Sequence, residues 1–110
     1  MVTKNRTIGK ELSTSNADIY TVPSRYTAKI SSIVVSNMTG GSVTFSLDWY
    51  DSGSSTYFTI AEQTVLKPNS VIQITDGFIL QAGDKFRGLA SAANSVTISM
   101  AVEEDYSVVV

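Results

Sequence analysis

The stretch that decides the fold is VTFSLDWY (residues 43–50), which alternates apolar and polar residues without interruption. In an extended chain, successive side chains point to opposite sides, so the apolar residues from Val43 to Trp49 share one side. A helix would instead distribute them around its circumference. The stretch therefore predicts a β-strand with one face in a hydrophobic core.

Similar patterns recur along the chain, separated by turn signals about every 8–12 residues. Examples of these signals are Ser52-Gly53, Pro68-Asn69 and Asp76-Gly77, in which glycine, proline and asparagine adopt the backbone angles that turns need. About eight short strands without a helical period predict a single antiparallel β-sandwich of jelly-roll or immunoglobulin-like type. The residues predicted to point inwards are Ile19, Ile30, Val34, Phe45, Leu47, Trp49, Ile60, Ile72, Ile74, Leu80, Val96, Ile98 and Met100.

One predicted strand, Tyr26 to Asn37, departs from simple alternation. Its centre, Ile33-Val34-Val35, is continuously apolar. Such a run is typical of a strand that is covered on both faces, or of a strand with a bulge in its middle. The sequence leaves these two alternatives open.

The two ends of the chain differ from the predicted sandwich. We expect an extended N-terminal arm at residues 1–16, the sandwich at 17–105 and a β-prone tail at 106–110. The arm is rich in charge and poor in large apolar residues, so it is expected to be mobile or ordered by a neighbouring chain. A valine-rich terminus can add a strand to another subunit, although two disordered termini are an equal alternative. The residues predicted to form an interface are Ile8, Leu12, Tyr106, Val108, Val109 and Val110.

Composition excludes several classes of function. Of the 110 residues, 28 are Ser or Thr, none is Cys and none is His. Disulfides and cysteine-based zinc sites are therefore excluded, and the commonest general base is missing. A formal net charge of −2 argues against nucleic-acid binding, and no apolar run approaches the length of a membrane span. The first residues do not resemble a secretory signal. We predict a non-enzymatic protein without catalytic residues, metal or cofactor.

The charged clusters have ordinary interpretations. Glu103-Glu104-Asp105 is interpreted as a solvated strand end, because the spacing of a calcium loop is absent. The other carboxylates lie mostly in predicted turns, where aspartate bonds to the local backbone, and a glycosidase would need two of them across a cleft. Lys85 and Arg87 are expected to face solvent or another subunit. A small hydrolase is therefore the least favoured function.

The aromatic residues near the predicted hairpin support an alternative from another class. Trp49 lies in the apolar register and is predicted to be in the core. Tyr50 and Tyr57 lie near the turn and are predicted to be exposed. If they form a coplanar platform, the domain is a carbohydrate-binding module that recognises host or surface glycans.

The order of several segments resembles small β-sandwich structural proteins of tailed-bacteriophage virions. The resemblance extends from about Asp18 to Glu104. The segments that show it are Ile19–Pro23, Ile33–Asn37, Asp48–Asp51, Leu80–Asp84 and Ala90–Val96.

This resemblance implies a non-enzymatic virion protein of the head, neck or tail, for example a capsid decoration protein. We expect a homo-oligomer, with a trimer as one candidate, that docks on capsid or tail proteins, and charge and composition argue against binding to nucleic acid or a membrane. A cysteine-free chain fits assembly in the reducing cytoplasm of a host bacterium, and the virion is then the expected location.

Overall fold

A computed structural model describes residues 2–75 and 77–106, and this part of the chain forms nine β-strands. None of the described segments is a helix long and apolar enough to cross a membrane. The strands are β1 (Val2–Glu11), β2 (Ala17–Thr21), β3 (Tyr26–Asn37), β4 (Val43–Asp51), β5 (Thr56–Leu66), β6 (Val71–Ile74), β7 (Phe78–Leu80), β8 (Lys85–Ala90) and β9 (Val96–Tyr106).

The strands form two antiparallel sheets, which confirms the predicted β-sandwich. One sheet has the order β1-β9-β3-β6, with β7 also paired to β3, and the other has the order β2-β8-β4-β5. Along the chain, strands mostly alternate between the two sheets, and only β4 and β5 are both consecutive and paired. If β6 and β7 are counted as one interrupted strand, this is the eight-stranded jelly-roll order. The topology thus decides between the two predicted types of sandwich.

Strand β4 has the alternation that its sequence predicts. Phe45 and Leu47 are fully buried between the sheets, and Val43 is buried beside them. Trp49 is half-buried at the end of the core, where its ring stacks on Phe58 with 5.1 Å between ring centroids. The core thus follows the inward face of β4 from Val43 to Leu47 and becomes partly exposed at Trp49.

A bulge interrupts β3, as one of the two sequence alternatives predicts. The register of β3 against β9 shifts between Ile30 and Ser32. One extra residue moves every following side chain to the other face, so Ile33 and Val35 are fully buried and Val34 is not. The prediction that Val34 points into the core is therefore wrong, because simple alternation was extended through the bulge.

Residues 2–11 of the predicted arm are extended, and they pair with the same chain. Strand β1 runs antiparallel to β9 without a register shift, from Val2 opposite Tyr106 to Glu11 opposite Thr97. It thereby occupies the outer position of its sheet. Most of the predicted N-terminal arm is therefore the outer strand of a sheet of the sandwich, although its composition differs from that of the other strands.

Several predicted core residues lie at the margin of the core. Ile60, Ile72 and Ile74 are only partly buried, because β5 and β6 are edge strands with one side next to solvent. The other predicted inward residues, apart from Val34 and Trp49, are buried. The buried residues that periodicity does not single out include Leu12, Tyr20, Val22, Leu66 and Phe86.

The closest approach around a glycine of the sandwich occurs at Gly88 in β8. A Cβ atom at this position would stand 2.9 Å from the Ser46 carbonyl oxygen and 3.3 Å from Ile19 Cδ1. The Ser46 carbonyl belongs to the backbone of the neighbouring strand and has little freedom to move. Only glycine therefore fits at this position without a shift of its neighbours. The Leu12 side chain packs beside it, with its Cδ2 atom 3.5 Å from where the Cβ would stand.

We expect Gly88→Ala to lower the free energy of unfolding by about 1–3 kcal/mol, as overpacking of a core does. The matched control is Gly40→Ala, because a Cβ at Gly40 meets no atom within 4 Å, and its effect should stay within about 0.5 kcal/mol. Urea unfolding monitored by the fluorescence of Trp49, the single tryptophan, measures both. Equal stabilities of the two variants would contradict the close packing at Gly88.

Candidate assembly surface

The predicted interface residues have different environments in the structure. Leu12 is 1% exposed and lies in the hydrophobic core, so it is not available to a partner in this conformation. Ile8 is half-buried and packs against the core. Tyr106 is half-buried, with its ring 5.2 Å from that of Tyr26 in an edge-on arrangement. Val108, Val109 and Val110 lie outside the described residues.

Five of the large exposed apolar side chains belong to β5, β6 and β7, which lie at the margins of the two sheets. Ile79 is 72% exposed and Val71 is 63% exposed, although both belong to strands. We call the set on these strands the β5–β7 edge surface. It consists of Tyr57, Phe58 and Val65 on β5, Val71 on β6 and Ile79 on β7.

The β5–β7 edge surface combines the margins of both sheets. Strand β5 is the last strand of one sheet, and β6 and β7 flank β3 in the other. The turn Lys67–Ser70 joins β5 directly to β6. The Asn37 side chain fixes this turn by donating hydrogen bonds to the carbonyls of Leu66 and Lys67 at 3.2 and 3.0 Å. The two margins are therefore joined at this turn, and their exposed side chains lie on the outer faces of different sheets, since Val71 is opposite Ser36 and Val65 is opposite Thr44.

Tyr50 and Tyr57 form a pair, but they do not form a flat platform. Their ring centroids are 4.7 Å apart and their planes are inclined by 47°. The Arg87 guanidinium covers the Tyr57 ring at 3.5 Å from its centroid, and the Lys85 ammonium lies 5.2 Å from the centre of Tyr50. The predicted coplanar platform is therefore absent from this part of the structure, and the carbohydrate-binding alternative is not favoured.

The two cations on β8 also form ion pairs across their sheet. Arg87 Nε donates to Asp48 Oδ2 at 3.1 Å, and Lys85 Nζ lies 3.4 Å from Asp18 Oδ2. The Tyr57 side chain, and after it Asp18, raise the pKa of Lys85 above its ordinary value. Both cations are half-buried. Contacts within the same subunit therefore explain the positions of Lys85 and Arg87.

The acidic strand end contains one residue that sequence reasoning placed incorrectly. Glu104 is 1% exposed and not solvated as expected, because it belongs to the face of β9 that points between the sheets. Its carboxylate accepts a short hydrogen bond from the Tyr20 hydroxyl on the opposite sheet. Arg6 Nη1 lies 3.4 Å from both carboxylate oxygens and forms the ion pair. The three residues connect β1, β9 and β2.

Aspartates organise the turns, as expected from the sequence. Asp84 accepts hydrogen bonds from the Ser52 and Gln81 amides, each at 2.9 Å, and Asp51 accepts one from the Gly53 amide at 3.0 Å. Among residues 2–75 and 77–106, no three acidic side chains gather in a group that could hold a metal ion.

The chain is similar in fold to known structures. A protein from a study of Bacillus endospore appendages, described as a novel family of disulfide-linked pili, is 17% identical, with a TM-score of 0.57 and coverage of 98% of this chain and 88% of that chain. A chain of infectious bursal disease virus, Gx strain, is 10% identical, with a TM-score of 0.55 and coverage of 93% and 32%. This chain thus spans about a third of the viral one.

A pentameric capsid protein from metagenomic phage sequences matches less well, with 16% identity, a TM-score of 0.46 and coverage of 87% of this chain and 59% of that one. No protein-family model matches the sequence, and no curated protein matches it. At these identities the comparisons show a shared fold.

The buried hydroxyl of Tyr20 predicts a specific dependence of stability on pH. Burial, followed by the hydrogen bond to Glu104 and the charge of Glu104, raises the pKa of Tyr20 above its ordinary value. A tyrosine of the unfolded chain titrates near pH 10, whereas folded Tyr20 keeps its proton at that pH. The contribution of Tyr20 to stability is therefore complete below about pH 10 and decreases as the pH rises further.

We expect Tyr20→Phe to lower the free energy of unfolding at pH 7 by about 1.5–3 kcal/mol, as the loss of a hydrogen bond to a charged group does. The difference from the original chain should shrink above about pH 10. Urea unfolding between pH 7 and pH 11.5 measures this difference. Tyr50→Phe is the control, because Tyr50 lies outside the core, and it should change stability little at any pH. A pH-independent difference for Tyr20→Phe would contradict the role of the hydroxyl.

Proposed function

We propose that this chain is a non-enzymatic structural subunit of a bacteriophage virion, which assembles with copies of itself and docks on other virion proteins. Three features support the proposal: the jelly-roll fold, the likeness in fold to a virus protein and a pilus protein, and the order of segments that resembles small virion proteins of tailed phages. The capsid, the neck and the tail are all compatible locations.

The observation that carries the proposal is the β5–β7 edge surface. Isolated exposed apolar residues are ordinary. Here Val71 and Ile79 lie on the outer face of one sheet and Val65 on that of the other, so each sheet offers apolar surface that a neighbouring subunit can bury. Full burial of one valine or isoleucine side chain is worth about 1.5–3 kcal/mol. Burial of Val71 and Ile79 alone would therefore provide a substantial part of the free energy of a subunit contact.

The subunits would associate by noncovalent contacts. The pilus protein of similar fold is described as disulfide-linked, whereas this chain contains no cysteine. Burial of apolar surface and pairing of strand edges are the remaining sources of adhesion. Such contacts form in the reducing cytoplasm of a bacterial host, which is the expected place of assembly.

A closed homo-oligomer with cyclic symmetry is the expected form, and a trimer is one candidate. Other partners would be capsid or tail proteins, and the domain would contact neither nucleic acid nor membrane. Mass spectrometry of gradient-purified virus particles from the source of the gene tests the location. Detection of the chain at many copies per particle is expected, and its absence from the particles would contradict the virion assignment.

We expect Ile79→Lys and Val71→Lys each to weaken self-association about tenfold or more, which equals roughly 1.4 kcal/mol. Both side chains are exposed, so the variants should remain folded. Ser24→Lys is the matched control, since it adds the same charge at an exposed position of the turn between β2 and β3, outside β5, β6 and β7, and its association should be unchanged.

Sedimentation velocity over a range of protein concentrations measures this association, and circular dichroism verifies folding. Species well above 11.8 kDa are expected for the original chain. If the original chain remained an 11.8 kDa monomer at high concentration, self-assembly would be overturned. If it assembled and both lysine variants assembled equally well, the β5–β7 edge surface would not be the contact.

A further inference from the structure

Strand β1 has an unusual pattern for an outer strand of a sandwich. Residues directly opposite each other in an antiparallel pair point to the same side, so the residues of β1 opposite buried positions of β9 face the inter-sheet side. Lys4 lies opposite Glu104, Arg6 opposite Val102, Ile8 opposite Met100 and Lys10 opposite Ile98. Three of these four residues of β1 are cations.

The interactions that hold β1 in its own subunit are therefore mainly backbone pairing and surface charge. Arg6 is 43% exposed in its ion pair with Glu104, and the hydrogen bond from Thr3 to Asp105 is exposed, at 2.7 Å. The exposed contact of Thr3 contributes little, whereas the ion pair of Arg6 is exposed only on the Arg6 side, because Glu104 is 1% exposed. The apolar anchors that follow are the half-buried Ile8 and the buried Leu12.

A short exposed connection follows these anchors. The Leu12 amide donates to the Val96 carbonyl at 2.9 Å, and the Ser13 carbonyl accepts from the Ala90 amide at 2.8 Å. Thr14, Ser15 and Asn16 are then exposed before β2 begins at Ala17. Residues 2–13 thus form one unit that a three-residue hinge joins to the sandwich.

We propose that β1 is exchanged between copies of this chain, so that residues 2–13 of one subunit pair with β9 of the next. The exchange reproduces every contact of β1 in the new subunit, including the ion pair of Arg6 with Glu104 and the burial of Leu12 beside Gly88. It rests on the proposed self-assembly and identifies the segment that links the subunits.

Charge favours a second copy as the partner. The first half of β1 carries Lys4 and Arg6, and the end of β9 that faces it carries Glu103, Glu104 and Asp105, whereas Lys10 and Glu11 lie at the other end of β1. A β9 edge that has lost β1 therefore presents negative charge to an incoming basic strand. The same charges disfavour pairing of β1 with another β1.

The other sheet margins are less suited to add a long strand. Strand β2 contains a register irregularity between Asp18 and Tyr20, β5 is irregular opposite Phe45 to Asp48, and β6 and β7 have only four and three residues. Bulges and short length protect edges from pairing. The ten-residue pairing of β1 with β9 is regular throughout.

The hinge limits the geometry of the exchange. Three extended residues span about 10 Å, so the donor and acceptor subunits must lie next to each other. If two subunits donate reciprocally, a dimer forms, and if each donates to the next, a ring or a filament forms. The additional stability comes from whatever surface the neighbours then bury together, because the exchanged contacts themselves are identical.

Mixed single-cysteine chains test the exchange, because the original chain has no cysteine. Thr7 lies directly opposite Ala101 in the register of β1 with β9, at a separation that suits a disulfide. Chains with Thr7→Cys and chains with Ala101→Cys are mixed, unfolded together in urea, refolded and oxidised. A disulfide between these two positions requires β1 of one chain on β9 of the other.

The control replaces Thr7→Cys by Thr56→Cys, which lies at the exposed start of β5. We expect the Thr7→Cys/Ala101→Cys disulfide to exceed the control disulfide at least about tenfold, because pairing in register creates a high effective concentration. Non-reducing electrophoresis gives the amounts, and mass spectrometry of the linked peptides gives the positions.

The remaining outcomes separate the exchange from the proposed function. If assemblies form in sedimentation and the disulfide does not exceed the control, β1 stays in its own subunit, and the exchange is overturned while self-assembly stands. If the mixed chains stay monomeric without an excess of the disulfide, both the exchange and the self-assembly are overturned.

Discussion

The structure depends on the pairing of β9 along both of its edges. Strand β9 lies between β1 and β3, and pairs with β1 from Thr97 to Tyr106 and with β3 from Val96 to Tyr106. Its inward residues Ile98, Met100 and Val102 are almost completely buried. Because β9 stands between β1 and β3, β1 can join this sheet only when β9 is in place. Contacts of such long sequence separation are typical of slowly folding β-sandwiches.

The same strand places a charge inside the core, and the structure compensates for it. A buried carboxylate without partners would be costly, but Glu104 has the hydroxyl of Tyr20 on one side and the guanidinium of Arg6 on the other. Removal of one partner from such a group costs more than the pair contributes. The cluster therefore acts as a registry point, since it is satisfied only when β1, β2 and β9 are in their observed positions.

In the proposed assembly, the two sides of the sandwich would offer different means of association. The β5–β7 edge surface has exposed apolar side chains on short or irregular strands, which suits side-chain burial. The opposite side has the regular and basic β1, which suits backbone pairing with an acidic β9. A subunit with two unlike contact sides can form heterologous contacts, and these build rings or filaments. The shape of the described chain, about 53 × 26 × 21 Å, places these long edges along the sides of an elongated unit.

The amino-acid sequence by itself determined the class of fold and most of the strands. The alternation of residues 43–50, the turn signals at Pro68-Asn69 and the β-branched composition are local properties, because backbone sterics and side-chain direction act between neighbouring residues. The tertiary structure decided the features that depend on distant residues. It buried Glu104, since Tyr20 and Arg6 lie 84 and 98 residues away, and it placed β1 beside β9 despite the polar composition of β1. It also turned Val34 away from the core, because the bulge in β3 is defined only against β9.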